Sequence, residues 1–198
     1  MNKVNLYLIR HGKTEGNEKR LYCGYTDLPL SDKGKAELEF LKGIYTACDN
    51  YYTTGLKRTT ETLNILFNCD SYSIEEGFKE YNFGDFEMKG YEELKNKKEY
   101  IDWIEDTSGK YVIPNGECKN SYRERIKDTF YKFINELFSK NQKKVALICH
   151  GGTIGTILEQ FYSSEKNLFD WQPSCGKGYL LEIILENNNI KIVNMEKI

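Results

Sequence analysis

Two apolar runs that lie far apart in the chain are each followed at once by a histidine and a glycine. Val4–Ile9 precedes His11 after a single arginine, and Lys144–Cys149 precedes His150 directly. Short, nearly continuous apolar runs are typical of strands that are buried on both faces of a sheet. Because the carboxyl ends of parallel strands meet at one edge of an open α/β sheet, we expect both imidazoles in one pocket.

Strand-like and helix-like segments alternate through most of the chain. A short strand is expected at Tyr51–Thr54, and Tyr179–Leu185 and Ile190–Met195 flank an Asn-rich turn as a terminal hairpin. This order predicts an α/β three-layer sandwich with a mainly parallel central sheet and helices on both faces. The apolar stripes that predict the main helices are Phe40, Leu41, Ile44 and Tyr45 after a Ser31 cap; Leu56, Thr60, Leu63 and Phe67; Tyr122, Ile126, Phe130, Phe133 and Leu137; and Ile154, Ile157, Leu158, Phe161 and Tyr162.

A single domain is expected over residues 1–198, with an inserted cover at about residues 84–118. The insert is rich in Lys, Glu, Gly and aromatic residues, and short helices are expected around Tyr91–Lys97 and Tyr100–Glu105. Irregular excursions of this kind often cover a functional site. For Trp103 and Trp171, lining a pocket and packing in the core both stay open.

Charge and composition narrow the classes of ligand. The formal net charge is -2, so no global basic field predicts binding to nucleic acid or to an acidic membrane. The apolar run before Arg10 is too short for a signal-peptide core or a membrane span.

Six cysteines without a CxxC pair are expected to be reduced thiols in a cytoplasmic protein. The two histidines lack ligand-spaced partners, so no metal or other cofactor is expected.

An anionic ligand would therefore need positive charge concentrated at one place. Arg10 directly follows the first predicted strand, and Arg58 falls in the first turn of the helix after the second. Gly151 and Gly152 begin another helix, whose free N–H groups and positive dipole end favour an anion. Because the planar guanidinium binds phosphate oxygens in pairs, these residues predict a phosphate site.

Five motifs, in the order in which that family carries them, resemble the histidine phosphatase superfamily, which includes the phosphoglycerate mutases. They are L-I-R-H-G-K-T-E-G-N (8–17), Y-C-G-Y-T-D-L-P-L-S-D-K-G (22–34), G-L-K-R-T-T-E-T (55–62), K-E-Y-N-F-G-D-F-E (79–87) and A-L-I-C-H-G-G (146–152). A lone R-H-G is a weak signal, whereas five ordered matches over most of the chain are specific. The resemblance implies a phosphoglycerate mutase-like fold and phosphoryl transfer.

The resemblance also implies a role for each matching residue. His11 would be the nucleophile that becomes phosphorylated, and Glu80 would be the acid that protonates the leaving group. A neutral imidazole attacks phosphorus only when a hydrogen bond holds its other ring nitrogen. The residues expected around the phosphoryl group, with Gly151 added from the helix start, are Arg10, Arg58, His150, Asn17, Cys23 and Gly24.

Structural explanations compete with some of these roles. A histidine beside a glycine at a strand end can be purely structural, although both histidines occupy matching positions here. Cys149 and His150 are adjacent on a strand and project to opposite faces, so they make a poor thiol–imidazole pair. The aromatic stripe from Tyr122 to Phe133 is interpreted as core.

Three functions would use the same pocket. A phosphatase lets water hydrolyse the phosphohistidine, a mutase returns the phosphoryl group to another hydroxyl, and a non-catalytic relative only binds a phosphorylated ligand. The short connection between Glu80 and His150 leaves little sequence for a mutase cover, so a phosphatase acting on a small phosphorylated metabolite is favoured. The oligomeric state is not predictable.

A finer resemblance concerns the substrate. F-G-D-F-E-M (83–88), Y-I-D-W (100–103) and P-N-G-E (114–117) resemble α-ribazole phosphatases, which act late in cobalamin nucleotide-loop assembly. That family usually has Trp where Phe86 stands, and many members have Ser where Cys118 stands. Both departures lie in the segment expected to select substrates, and the resemblance predicts α-ribazole 5′-phosphate as the substrate.

Overall fold

The computed structural model describes residues 3–187 and 189–198, so residue 188 of the Asn-rich turn lies outside the described residues. Strands and helices alternate as the sequence predicts, and two 3-10 turns, Glu76–Phe78 and Gly84–Phe86, lie between them. The elements are β1 (Lys3–Arg10), α1 (Glu15–Glu18), α2 (Asp32–Glu39), β2 (Asn50–Thr53), α3 (Lys57–Phe67), β3 (Ser73–Ile74), α4 (Tyr91–Leu94), α5 (Lys98–Glu105), α6 (Lys119–Ser139), β4 (Lys144–Cys149), α7 (Gly151–Phe161), β5 (Gly178–Glu186) and β6 (Asn189–Lys197).

The six strands form one mixed sheet in the order β3-β2-β4-β1-β5-β6. The pairs β3–β2, β2–β4 and β4–β1 are parallel, whereas β5 is antiparallel to both of its neighbours. β1 and β4 are thus adjacent and parallel at the centre of the sheet, as the two apolar runs predicted. Their carboxyl ends lie side by side.

Apolar side chains pack on both faces of the sheet. Leu6 and Leu8 of β1 face the side covered by α6 and α7, whereas Tyr7 and Ile9 face the side covered by α2 and α3. This division explains why β1 is apolar at consecutive positions rather than at alternate ones. The predicted α/β sandwich with helices on both faces is confirmed.

The predicted stripe after Ser31 is wrong at two positions. Ser31 caps α2 as expected, because its hydroxyl accepts a hydrogen bond from Gly34 N, but the helix ends at Glu39. The chain then turns through Gly43, which has a φ of +83°, so Phe40 and Ile44 are exposed. Tyr45 remains buried because its hydroxyl donates to Gly176 O across the fold. Once a turn with positive φ ends the helix, a spacing of three or four residues no longer places side chains on the same face.

Smaller differences concern short elements. The sequence did not predict α1 or the two-residue β3, and the predicted strand at Tyr51–Thr54 begins and ends one residue earlier. Two short helices, α4 and α5, occur close to the expected positions within residues 84–118. Among the described residues, no helix is long and apolar enough to cross a membrane.

Candidate active site

The pairing of β1 with β4 brings the two histidines together. Arg10 lies opposite Cys149 in the parallel register, and His11 N continues the ladder by donating to Cys149 O at 3.0 Å. The ring centroids of His11 and His150 are 5.2 Å apart, and both rings are buried. The pairing of the two strands therefore brings the two imidazoles together, as the sequence predicts.

His11 is held in one tautomer. Its Nδ1 lies 2.7 Å from Gly12 O, and because a carbonyl only accepts, Nδ1 carries the proton. The neutral ring then has its lone pair on Nε2. Burial, and after it the positive charges of Arg58 and Arg10, hold the pKa of His11 well below its ordinary value of 6.5. A neutral, oriented imidazole is the form that a nucleophilic nitrogen requires.

His150 lies beside it at the start of α7. Its Nε2 lies 3.0 Å from Thr54 Oγ1, whereas its buried Nδ1 has no hydrogen-bond partner in the protein. Burial and the nearby cations hold the pKa of His150 well below its ordinary value as well. Its Nδ1 therefore lacks the hydrogen bond that a buried polar atom normally has.

Two arginines complete what we call the His–Arg cluster: Arg10, His11, Arg58 and His150. Arg58 is fully buried on α3, where its two terminal nitrogens donate to Gly24 O at 2.6 Å and Thr26 O at 2.8 Å. Arg10 donates through Nη1 to Pro173 O at 2.9 Å. Main-chain carbonyls thus hold both guanidinium groups, while the buried Nε–H of each has no partner.

Glu80 accepts three hydrogen bonds. Oε1 accepts from Tyr81 N at 3.0 Å and from the Tyr122 hydroxyl at 2.8 Å, and Oε2 accepts from Gly152 N at 2.8 Å. Gly152 is required here, because a Cβ at that position would lie 2.4 Å from Glu80 Oε1. The carboxylate is therefore fixed at the N-terminus of α7, next to His150.

Glu87 is a residue to which the sequence analysis gave no role, although it ends one of the quoted motifs. Its carboxylate accepts from the backbone N–H groups of Gly24, Tyr25 and Thr26 at 2.9–3.1 Å, and from the Thr26 hydroxyl at 2.7 Å. Phe83 N donates to it as well, at 3.2 Å. Glu87 therefore fixes the loop whose carbonyls receive Arg58.

The other predicted residues occupy different positions around the cluster. Asn17 and Cys23 line the adjacent cavity, and the Asn17 side chain also forms a capping box with Thr14. Gly24 lies behind Arg58 as its acceptor and is not among the lining residues. A Cβ at Gly151 would lie 3.0 Å from Arg10 Cζ, so this glycine permits the close approach of the guanidinium.

A cavity of about 820 Å³ adjoins the cluster. Arg10, Glu80 and Gly152 line it, whereas His11, Arg58 and His150 are buried beside it and are not among its lining residues. Lys119, at the start of α6, also lines it and donates to the carbonyls of Trp103 and Asp106 at 2.7 and 2.8 Å. We call its apolar side the aromatic wall, which consists of Tyr22, Phe83, Trp103 and Phe169.

Trp103 lies in the aromatic wall, whereas Trp171 does not. The rings of Tyr22, Phe83 and Trp103 have centroids 5.0–6.1 Å apart, whereas Phe169 is 75% exposed. Trp171 is not a lining residue; it is buried against Tyr162 and Tyr179. Trp103 thus belongs to the cavity, and Trp171 packs in the core.

Comparisons with known proteins identify the family of the chain. A family model described as the histidine phosphatase superfamily (branch 1) matches residues 6–197. The chain is 28% identical to a 2,3-bisphosphoglycerate-dependent phosphoglycerate mutase of Cytophaga hutchinsonii, with 96% of the chain and 93% of the relative covered. It is 27% identical to an adenosylcobalamin/alpha-ribazole phosphatase of Salmonella typhimurium, with 96% of each covered.

A solved structure gives the same fold at lower identity. A putative alpha-ribazole-5'-P phosphatase from Escherichia coli superposes with a TM-score of 0.76 at 22% identity, covering 96% of each chain. The curated relatives carry both phosphatase and mutase names at similar identity. Family membership alone therefore does not choose between the two reactions.

Proposed function

The chain belongs to the histidine phosphatase superfamily, and from that membership we propose that it hydrolyses small-molecule phosphate monoesters through a phosphohistidine at His11. One observation carries the proposal: three buried nitrogens of the His–Arg cluster, Arg10 Nε, Arg58 Nε and His150 Nδ1, have no partner in the protein. Buried polar groups are nearly always paired, so a cluster of three calls for a ligand with several acceptors. A phosphoryl group supplies them.

The reaction follows from the positions of His11 and Glu80. His11 Nε2 attacks phosphorus, the bond from phosphorus to the ester oxygen breaks, and Glu80 gives its proton to that oxygen. In the second step Glu80 takes a proton from water, whose oxygen attacks phosphorus as the bond to Nε2 breaks. Phosphoryl transfer spreads negative charge over the equatorial oxygens, which fixed arginine and imidazole donors stabilise.

The cavity supports a substrate larger than a three-carbon phosphate. Its volume of about 820 Å³ falls in the upper part of the range of roughly 300–1,000 Å³ that holds drug-sized ligands. Ring faces along the aromatic wall favour a flat, apolar group beyond the phosphate. We therefore propose α-ribazole 5′-phosphate, which carries such a group, as the finer candidate.

The segment at about residues 84–118 is proposed to be the inserted cover of a single domain spanning residues 1–198. Trp103, Ile104, Asp106 and Gly109 from this segment line the cavity. Asp106 accepts from the backbone of Ser108, Gly109 and Tyr111, which stabilises the loop in one conformation. A preformed wall of this kind selects substrates by shape.

The test is phosphate release from α-ribazole 5′-phosphate, common sugar phosphates and 3-phosphoglycerate, with the His11→Ala variant beside the wild type. We expect release by the wild type, trapping of labelled phosphohistidine after an alkaline denaturing quench, which preserves the acid-labile P–N bond, and loss of both in His11→Ala. Isomerisation of phosphoglycerate without phosphate release would instead identify a mutase. Binding of the esters without turnover would identify a non-catalytic binder.

A second variant tests Glu80. Glu80→Gln is expected to slow hydrolysis of alkyl esters by about 10²–10⁴-fold, the usual contribution of a positioned acid. para-Nitrophenyl phosphate should be affected much less in the first step, because its phenolate leaves without a proton. Equal slowing of both esters in kcat/KM, which reports the first step, contradicts the acid role.

A further inference from the structure

We infer that Tyr122 and Thr153 form a hydrogen-bond relay that holds Glu80 in one position in both of its protonation states. The inference rests on the proposed function, in which Glu80 is first an acid and then a base. Tyr122 acts through Glu80 and is therefore a positioning residue. The sequence assigned it to the core stripe of α6, where its ring is indeed buried.

When Glu80 is ionised, the available protons determine the direction of each hydrogen bond in the relay. The carboxylate can only accept, so the Tyr122 hydroxyl donates to Glu80 Oε1 at 2.8 Å. The Thr153 hydroxyl donates to Phe78 O at 3.1 Å, because a carbonyl cannot donate. The oxygens of Tyr122 and Thr153 are 3.3 Å apart, and in this state neither hydroxyl has a proton left for that contact.

The same atoms serve Glu80 when it is protonated. Before substrate binds, the carboxylic acid donates to the Tyr122 oxygen, and the Tyr122 hydroxyl turns its proton to Thr153 Oγ1; once the ester is bound, the acid proton turns to the ester oxygen. Thr153 still donates to Phe78 O, so every proton of the chain has an acceptor. Only hydroxyl protons have rotated, and no heavy atom has moved. The backbone donors to Glu80, Tyr81 N and Gly152 N, lack this ability because an N–H group never accepts.

A two-step reaction benefits from such an arrangement. Glu80 must lose a proton in the first step and gain one in the second while its oxygens stay within reach of the ester oxygen and then of water. Burial, and after it the negative charge of Glu80, hold the pKa of Tyr122 well above its ordinary value of 10.0. Tyr122 therefore keeps its own proton and does not compete as an acid.

Other charged and titratable groups face Glu80 from each neighbouring element, and they set the field in which the relay works. Arg125 of α6 donates to the Glu80 carbonyl at 3.3 Å and lies over the Tyr122 ring. Groups that interact electrostatically with the carboxylate itself are Arg58 of α3, Cys149 of β4 and Cys23 of the loop before α2. None of them bonds to the carboxylate in the part of the chain that the structure describes.

The relay predicts opposite pH shifts for two variants. Tyr122→Phe removes a charge-assisted bond from ionised Glu80 and a weaker neutral bond from protonated Glu80, so the alkaline limb of kcat/KM for an alkyl phosphate should move up by about 0.5–1 pH unit. Thr153→Val leaves the charge-assisted bond but removes the acceptor needed by the protonated form. The same limb should therefore move down by about 0.5 pH unit.

Two matched controls separate the relay from simple loss of a buried hydroxyl. Tyr52→Phe removes a buried hydroxyl that contacts Gln142 before β4, at the opposite end of that strand. Thr156→Val removes a buried hydroxyl without a partner, one turn beyond Thr153 on α7. Neither control should move the limb.

The outcomes distinguish the relay from the proposed function. Opposite shifts in Tyr122→Phe and Thr153→Val, with unmoved controls, support the relay. Shifts of the same sign, or no shift in either variant, overturn it and leave the phosphatase proposal intact. If the alkaline limb survives in Glu80→Gln, Glu80 is not the acid and the relay falls, whereas the phosphatase proposal falls only if phosphate release does not depend on His11.

Discussion

The His–Arg cluster and the aromatic wall differ in what holds their side chains. In the cluster, His11 and both arginines are bonded to main-chain carbonyls of loops. In the wall, rings from distant segments pack on one another, and Phe169 is largely exposed. Main-chain partners give a precise geometry for the phosphoryl group, which every phosphate ester shares. Ring packing gives a surface that can differ from one relative to the next.

The largest expected effect tests whether every substrate needs the His–Arg cluster, as the comparison with the aromatic wall requires. Arg58→Ala should lower kcat/KM by about 10²–10³-fold for each hydrolysed ester, since one fixed donor to a transition-state anion is worth that much. The acid limb should also move to higher pH, because removing the cation lets the pKa of His11 rise. Steady-state kinetics on a small and a bulky ester measure both effects.

Lys57→Ala is the matched control, because Lys57 precedes Arg58 on α3 and is exposed to solvent. It should leave both kinetic parameters unchanged. A loss confined to the bulky ester in Arg58→Ala would mean that the cluster selects substrates, contrary to the comparison.

Glu87 tests whether main-chain geometry is what makes the cluster precise. Glu87→Gln turns an amide NH₂ toward N–H groups of residues 24–26, so the loop should shift and carry the acceptors of Arg58 with it. We expect kcat/KM to fall by about 10–100-fold for all esters, with a loss of about 1–3 kcal/mol in the free energy of unfolding. Kinetics and chemical denaturation report the two effects.

A double-mutant cycle with Arg58→Ala gives the stronger measurement. If Glu87 acts through Arg58, Glu87→Gln should have little further effect on kcat/KM once Arg58 is gone. Additive losses would assign Glu87 a separate role. Glu92→Gln, on an exposed glutamate that pairs only with Lys95 among the described contacts, is the control.

The smallest effect is expected at the aromatic wall. Phe169→Ala should raise KM by about 3–10-fold for an ester with a flat aromatic group, which corresponds to one partly buried ring face. KM for a small alkyl phosphate should not change. The fold should tolerate the change because Phe169 is 75% exposed, and Phe40→Ala, at an exposed phenylalanine outside the cavity, serves as control.

The sequence reveals the two histidines better than the residues that support the site, for a local reason. His11 and His150 each follow an apolar strand, so a short motif contains both the side chain and the element that places it. Glu87 and Tyr122 act through partners more than 40 residues away, at Gly24–Thr26 and Glu80. Spacing therefore assigned Tyr122 only to the core. Phe40 shows the same limit, because a single turn after Glu39 exposed it.

The pairing of β1 with β4 also determines when the protein can become active as it folds. The two strands come from opposite halves of the chain, and the His11 N to Cys149 O bond extends their ladder. Contacts between such distant segments form slowly, because a long loop must close before they are gained. Partly folded chains would carry both histidines but no reaction centre. Recovery of activity after denaturation should therefore follow the assembly of the central sheet rather than the formation of the helices.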